Sequence, residues 1–157
     1  MLYFLSSIIL KKIKMSELLR GGQFLVKETN CEDVFTPEDF TEEQQMMKEA
    51  VMEFNDREII PHKARFEAKD YALTEDVMRK AGELGFLGVA VPEEFGGLGM
   101  GFVSTMLTCD YISSGTGSFS TAFGAHTGIG TLPITLYGTQ EQKEKYIPKL
   151  AAGEWFG

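Results

Sequence analysis

VPEEFGGLGMGF, residues 91–102, places four glycines within six positions, directly behind a proline and two glutamates. Such a density marks either a loop that cradles phosphate with its backbone N–H groups or a tight reversal of the chain. The first would make the chain a nucleotide binder through its own residues. The second would leave function to be read from elsewhere. Glycine spacing bears on the choice. The dinucleotide fingerprint G-x-G-x-x-G is not met: counted from Gly97 its third glycine would fall on Phe102, and from Gly99 it fails beyond Gly101. No glycine is followed by lysine and then Ser or Thr, so G-x-x-x-x-G-K-[ST] is absent as well. The stretch matches no recognised phosphate loop.

Around it, the chain reads as helices divided by turn signals. With 43% apolar residues in 157, the chain can bury one core of ordinary domain size. Residues 16–40 have no clean period and read as an extended lead-in. Thr41 and Gln44 stand at capping-box spacing, and Met46, Met47, Ala50, Val51 and Phe54 fall on one arc of the helix they open. Pro61 bends or ends that helix at Ile60. A second helix is read from Thr74, with Glu75 and Asp76 in its first turn, to Gly85, a left-handed C-terminal residue. FLGVAV, residues 86–91, is an apolar segment delivered to the core and closed by Pro92. Val103, Met106, Leu107 and Tyr111 have helical spacing, SSGTGS interrupts, and Thr139 with Gln142 forms another capping box for QEQKEKYIPKL. No alternating strand pattern precedes Gly153, so an all-α helical bundle is expected.

FSTAFGAHTGIG, from Phe119, differs from the other helices. It carries no Asp, Glu, Lys or Arg and is crowded with small residues, so it is buried on most sides. Gly124, Ala125 and Gly128 leave room beside it, either for close approach of another helix or for a ligand lying against it.

Several chemistries are excluded. The net charge of -8 lacks the Lys/Arg surplus needed to neutralise nucleic-acid phosphates. Cys31 and Cys109 form no disulfide framework and no CxxC pair, which points to a reducing, cytoplasmic compartment. His62 and His126 are the two histidines, and no HExxH spacing supports a metal site. His126 reads either as a satisfied core residue or as a catalytic base. A Cys109–His126 nucleophile pair has no supporting motif, and no GxSxG elbow is present. MLYFLSSIIL, residues 1–10, has its lysines after the apolar run rather than before it, and is too short to span a bilayer. Two readings stand for this segment: upstream codons ahead of a natural start at Met15, or a short helix on a membrane surface.

ELGFLGVAVPEEFGGLGMG (83–101), then GAHTGIGTLPI (124–134), then LYGTQEQKEKYIPKLAAGEW (136–155), in that order, resemble the N-terminal part of the acyl-CoA dehydrogenase family. The most specific pieces are PEEFGGLG and YGTQEQKEKYIPKLAAGE, and GGQFLVKET adds a weaker likeness to bacterial members, with the longer-chain enzymes the nearest in kind. The resemblance makes residues 1–38 an extension and lead-in, 39–152 the family's helical N-terminal domain and 153–157 the first residues of a middle β domain. It also makes the glycine stretch a turn.

What the resemblance implies is an FAD-dependent enzyme that desaturates a fatty acyl-CoA to a trans-2-enoyl-CoA. A glutamate takes the α-proton, hydride leaves for the flavin, and electrons pass to an electron-transfer flavoprotein. A homodimer or homotetramer is implied too. The flavin motif and the catalytic glutamate would lie past Gly157, so no catalytic, cofactor-binding or metal-binding residue is assigned here. Thr121, Ala125 and Ile129, one face at steps of four, are the candidates for contact with the acyl tail. Small residues there favour medium-to-long tails. Three functions follow as expectations: an amino-terminal piece of such a dehydrogenase, inactive alone; a non-catalytic helical module or unstable product; or a piece of an acyl-CoA oxidase or flavin monooxygenase of the same superfamily.

Overall fold

The computed structural model describes Leu19 and residues 21–157. The readings made for residues 1–14 fall outside these. The described part divides into a unit ending at Thr41 and a larger one, Glu42–Gly157. In the first, the lead-in contains three short 3-10 turns, Gly21–Leu25, Cys31–Asp33 and Pro37–Asp39, rather than an extended chain throughout. Two of them are held by an aspartate that reaches back along the chain. Asp33 accepts the Asn30 N–H at 3.0 Å, and Asp39 accepts the Thr36 N–H at 3.1 Å.

The larger unit is entirely helical, with no strand among the described residues, and bears out the expected all-α fold. Helix α1, Glu42–Phe54, starts directly after Thr41. It buries Val51 and Phe54 and packs Met47 against the core, but Met46 is 71% exposed, so the apolar arc is narrower than its spacing implied. Pro61 does not stop the chain's helical course. The helix first widens into a π turn, Asn55–Ile59, then tightens to a 3-10 turn, Ile60–His62, that admits the proline, and resumes as α2, Lys63–Glu67.

Helix α3 spans Tyr71–Glu83, three residues longer at its start than the reading from Thr74. The cap is Asp70, whose Oδ1 accepts the Leu73 N–H at 3.1 Å while its Oδ2 takes both the Nε and Nη2 of Arg65, at 3.0 and 2.7 Å. A capping aspartate satisfies an otherwise orphaned amide, which outweighs the acidic pair further on as a start signal. At the other end the chain turns on Gly85 at φ 81°, as expected.

Helix α4 is Phe102–Ser113, α5 Gly117–Gly124, then a second π turn, Ala125–Thr131, runs into α6, Leu132–Tyr137. Helix α7, Gln140–Ala151, begins at the predicted capping box: Thr139 Oγ1 accepts the Gln142 N–H, and Gln142 Oε1 accepts the Thr139 N–H at 2.9 Å. Val51, Ile59, Val77, Phe86, Ile112, Phe119 and Phe123 are part of the main core, and Val91, Phe95, Ile147 and Leu150 part of a smaller one under α7. Buried Asn55, at the start of the π turn, joins it to the end of α4 by donating through Nδ2 to the Tyr111 carbonyl, 3.1 Å, and to Ser114 Oγ, 2.8 Å.

Candidate functional site

The glycine stretch positions the site without forming it. Gly96 and Gly99 adopt left-handed backbone, φ 84° and 61°, and the chain folds back on FLGVAV. Leu98 N–H donates to Gly88 at 2.9 Å, Gly99 to Val91 at 2.8 Å and Met100 to Val89 at 2.9 Å, while Gly96 and Gly97 N–H bond Glu93 and Pro92. Every amide from Gly96 to Met100 is therefore spent on a backbone carbonyl, which leaves none of the five to hold a phosphate. Gly97 lies so close to Val91 that a Cβ there would sit 2.1 Å from the Val91 carbonyl oxygen.

The reversal presents Phe86, Leu87, Val89 and Val91 to a cavity of about 210 Å³. One wall is α4, with Phe102, Met106 and Cys109. The opposite wall is the small-residue helix, with Gly124, Gly128 and Thr131. Met106 is thus half exposed because it faces this space rather than the core, and Val103, in the same helical-spacing set, is also partly exposed. Nothing lies within 4 Å of where a Cβ would stand on Gly124 or Gly128. Of the two readings of that helix, open space beside the glycines favours a ligand-facing wall over close helix packing at these two positions. No residue that lines the cavity is charged. The Cys109 thiol, half-buried and free, is pushed above its ordinary value by burial, which opposes a thiolate nucleophile.

Thr121, Ala125 and Ile129 do not line this cavity. Thr121 is exposed and donates its hydroxyl to the Gly117 carbonyl at 2.8 Å, Ala125 is half-buried, and Ile129 is 80% exposed. The lining row on the same helix runs Gly124, Gly128, Thr131, Thr135. Its steps of four, three and four are the signal available in the sequence, but a strict step of four from Thr121 selects the neighbouring row.

His126 is a satisfied core residue. Its Nε2 lies 3.0 Å from the Leu150 carbonyl and its Nδ1 accepts the Gly157 N–H at 3.2 Å, so the neutral tautomer carries its proton on Nε2. Burial lowers its basicity below the ordinary imidazole value, partly offset by the bond to Leu150. Both nitrogens are engaged, and the ring ties the small-residue helix to the segment that follows α7. Among the described residues no cluster of acidic, histidine or cysteine side chains has metal-holding geometry, and no helix is long and apolar enough to cross a membrane.

The class defined by these features is an all-helical domain that offers an apolar slot and supplies no acid or base to it. Comparison with known proteins makes the assignment specific. The family described as acyl-CoA dehydrogenase, N-terminal domain, matches residues 41–154, and the chain belongs to the acyl-CoA dehydrogenase family through that domain. A probable acyl-CoA dehydrogenase of Bacillus subtilis (strain 168) is 42% identical over 141 residues, 90% of this chain and 24% of that protein. The mitochondrial isovaleryl-CoA dehydrogenase of Solanum tuberosum is 38% identical over 120 residues, 75% of this chain and 29% of that protein. The crystal structure of an acyl-CoA dehydrogenase from Bacillus anthracis, complexed with FAD, superposes with a TM-score of 0.81 at 44% identity, over 87% of this chain and 24% of that one. The chain therefore spans about a quarter of the length of these relatives.

Proposed function

We propose that the chain is the N-terminal helical part of an FAD-dependent dehydrogenase of fatty acyl-CoA, and that its contribution is one wall of the pocket for the acyl tail. The observation that carries this reading is the apolar cavity between α4 and the small-residue helix. An apolar cavity of about 150 Å³ accommodates benzene, so about 210 Å³ corresponds to roughly eight carbon atoms. That size suits a medium-length tail, and the open glycines give it room to extend. Thr121, Ala125 and Ile129 occupy the adjoining row of the helix and form the outer rim of the proposed tail site.

Neither the glycine turn nor the cavity, among the described residues, supplies a flavin site. The amides of the glycine turn are spent, and the cavity lining holds no cationic side chain for a pyrophosphate. It holds no carboxylate to remove an α-proton either, so the chain alone is proposed to be inactive. Electron-transfer flavoprotein as electron acceptor, a homo-oligomeric assembly and a cytoplasmic location belong to the same proposal and rest on the family. The competing readings are a non-catalytic helical module and part of an acyl-CoA oxidase or flavin monooxygenase.

Calorimetric titration of the 157-residue chain with octanoyl-CoA and with CoA tests the tail wall. Octanoyl-CoA is expected to bind at least tenfold tighter than CoA, and Gly128→Leu, which fills the open space, is expected to abolish the difference. Equal binding of the two compounds would sink the reading. A yellow chain holding stoichiometric FAD and forming enoyl-CoA would overturn the proposed inactivity.

A further inference from the structure

We propose that Phe86 is the stop for the acyl tail on the α1 side of the apolar cavity and sets a preference for medium over long tails, because it is the one residue common to the linings of that cavity and of a second, larger one. The second cavity, about 400 Å³, lies between α1 with its π turn and the end of α3, and Ala50, Phe54 and Leu84 line it together with Phe86. Leu87 and Cys109, by contrast, border the first cavity alone.

The position follows from local chemistry. Gly85, at φ 81°, ends α3 and turns the chain, so that Phe86 opens the 3-10 turn Phe86–Gly88 with only 3% of its surface exposed. Its ring meets that of Phe54 edge-on, with centroids 5.5 Å apart and planes at 75°. Phe54 is 4% exposed and belongs to the second lining but not to the first. Phe86 therefore spans from the first cavity to a residue of the second, held in the main core in a favourable aromatic geometry. A side chain so packed does not swing aside for a flexible hydrocarbon.

The space beyond it suits hydrocarbon. Both cations of the second cavity are already paired, Arg57 with Glu53 and Lys80 with Glu58, each at 2.8 Å, which leaves Ala50, Phe54 and Leu84 as apolar surface. A tail of about eight carbons fills the first cavity, and each further methylene taken out of water tightens binding about fourfold. Phe86 denies that gain to longer tails in this direction. Its role as a tail stop rests on the proposed function; its place on both linings is a property of the fold.

The test is calorimetric titration of the 157-residue chain with CoA, octanoyl-CoA and dodecanoyl-CoA, for the wild type, Phe86→Ala, and Phe86→Ala combined with Ala50→Phe, which puts a ring into the second cavity. Dodecanoyl-CoA is expected to bind within about threefold of octanoyl-CoA in the wild type, at least about tenfold tighter in Phe86→Ala, and again within about threefold in the double variant. A dodecanoyl-to-octanoyl ratio in Phe86→Ala within about twofold of the wild type, with octanoyl-CoA still preferred to CoA, overturns the inference and leaves the tail wall standing. A gain that survives Ala50→Phe does the same, since the tail then extends without entering the second cavity. Equal binding of octanoyl-CoA and CoA to the wild type overturns both. Should Phe86→Ala fail to fold by circular dichroism, Phe86→Leu supplies the same ratio with the same outcomes.

Discussion

Replacing Gly97 by alanine places a methyl group 2.1 Å from the Val91 carbonyl oxygen, 2.4 Å from the Val91 Cβ and 2.6 Å from the Val91 carbonyl carbon. Two of these atoms are backbone, so no rotamer change relieves the overlap and the turn must lift from the FLGVAV segment. Lifting it breaks three backbone hydrogen bonds, from Leu98, Gly99 and Met100 to Gly88, Val91 and Val89. At about 1 kcal/mol each, the expected loss is about 3 kcal/mol. For a domain of this size that lowers Tm by roughly 6–12 °C. Two neighbouring substitutions isolate the steric effect. Gly101→Ala has nothing within 4 Å and an ordinary φ of -72°, so a change within about 0.5 kcal/mol is expected. Gly96→Ala is equally uncrowded but carries φ 84°, which costs about 1–2 kcal/mol. Urea melts followed by circular dichroism should rank the three as Gly97, Gly96, Gly101. A Gly97→Ala melt indistinguishable from that of Gly101→Ala would refute the close packing of turn on segment.

The other predictions concern buried polar groups and the cavity. The folded state holds His126 below the ordinary value of 6.5, so the unfolded chain takes up its proton first as pH falls. Stability is therefore expected to be complete above pH 6.5 and to decline as pH falls from there toward the folded value, and His126→Phe should remove this limb while losing about 1–2 kcal/mol at pH 7.5 in thermal melts. A separate decline is expected below about pH 4.5, where Glu67, lowered chiefly by its hydrogen bond from Thr116, and Asp70, lowered chiefly by the Leu73 amide, become protonated. Asn55→Ala removes two hydrogen bonds, to the Tyr111 carbonyl and to Ser114 Oγ, while those two groups keep their bond to each other, and should destabilise the chain by about 1–2 kcal/mol in urea melts, with an unchanged helical spectrum. Gly128→Leu should leave Tm within a few degrees, because its Cβ enters open space, while weakening octanoyl-CoA binding at least tenfold by calorimetry.

Local signals proved the most legible part of the sequence. The Thr139–Gln142 capping box and the Gly85 terminus occur where their side-chain chemistry demands, because each is satisfied within one helical turn. The start of α3 was misplaced because Asp70 gains its weight from Arg65, five residues earlier, on a different helix. Pro61 reads from sequence as bending or ending the helix, because proline removes one amide bond; the chain widens into a π turn, tightens at the proline and continues. Met46 falls on the apolar arc of its helix and Met106 at helical spacing in its own, yet both are substantially exposed. Which apolar side chains on a helix are covered depends on the neighbours that arrive from elsewhere in the chain.

The family and the all-helical architecture were determined by the sequence alone. Capping boxes, apolar periods and the PEEFGGLG and YGTQEQKEKYIPKLAAGE segments act through local spacing, which a linear string records in full. The cavity was decided by tertiary structure. Its walls come from α4, the glycine reversal and the small-residue helix, and the π turn Ala125–Thr131 alters the register of the last of these. Gly124, Gly128 and Thr131 line the cavity, whereas the row from Thr121 does not. Steps of four, three and four are legible in a linear string, but which row of a helix meets open space depends on the neighbours that pack around it, and these arrive from elsewhere in the chain.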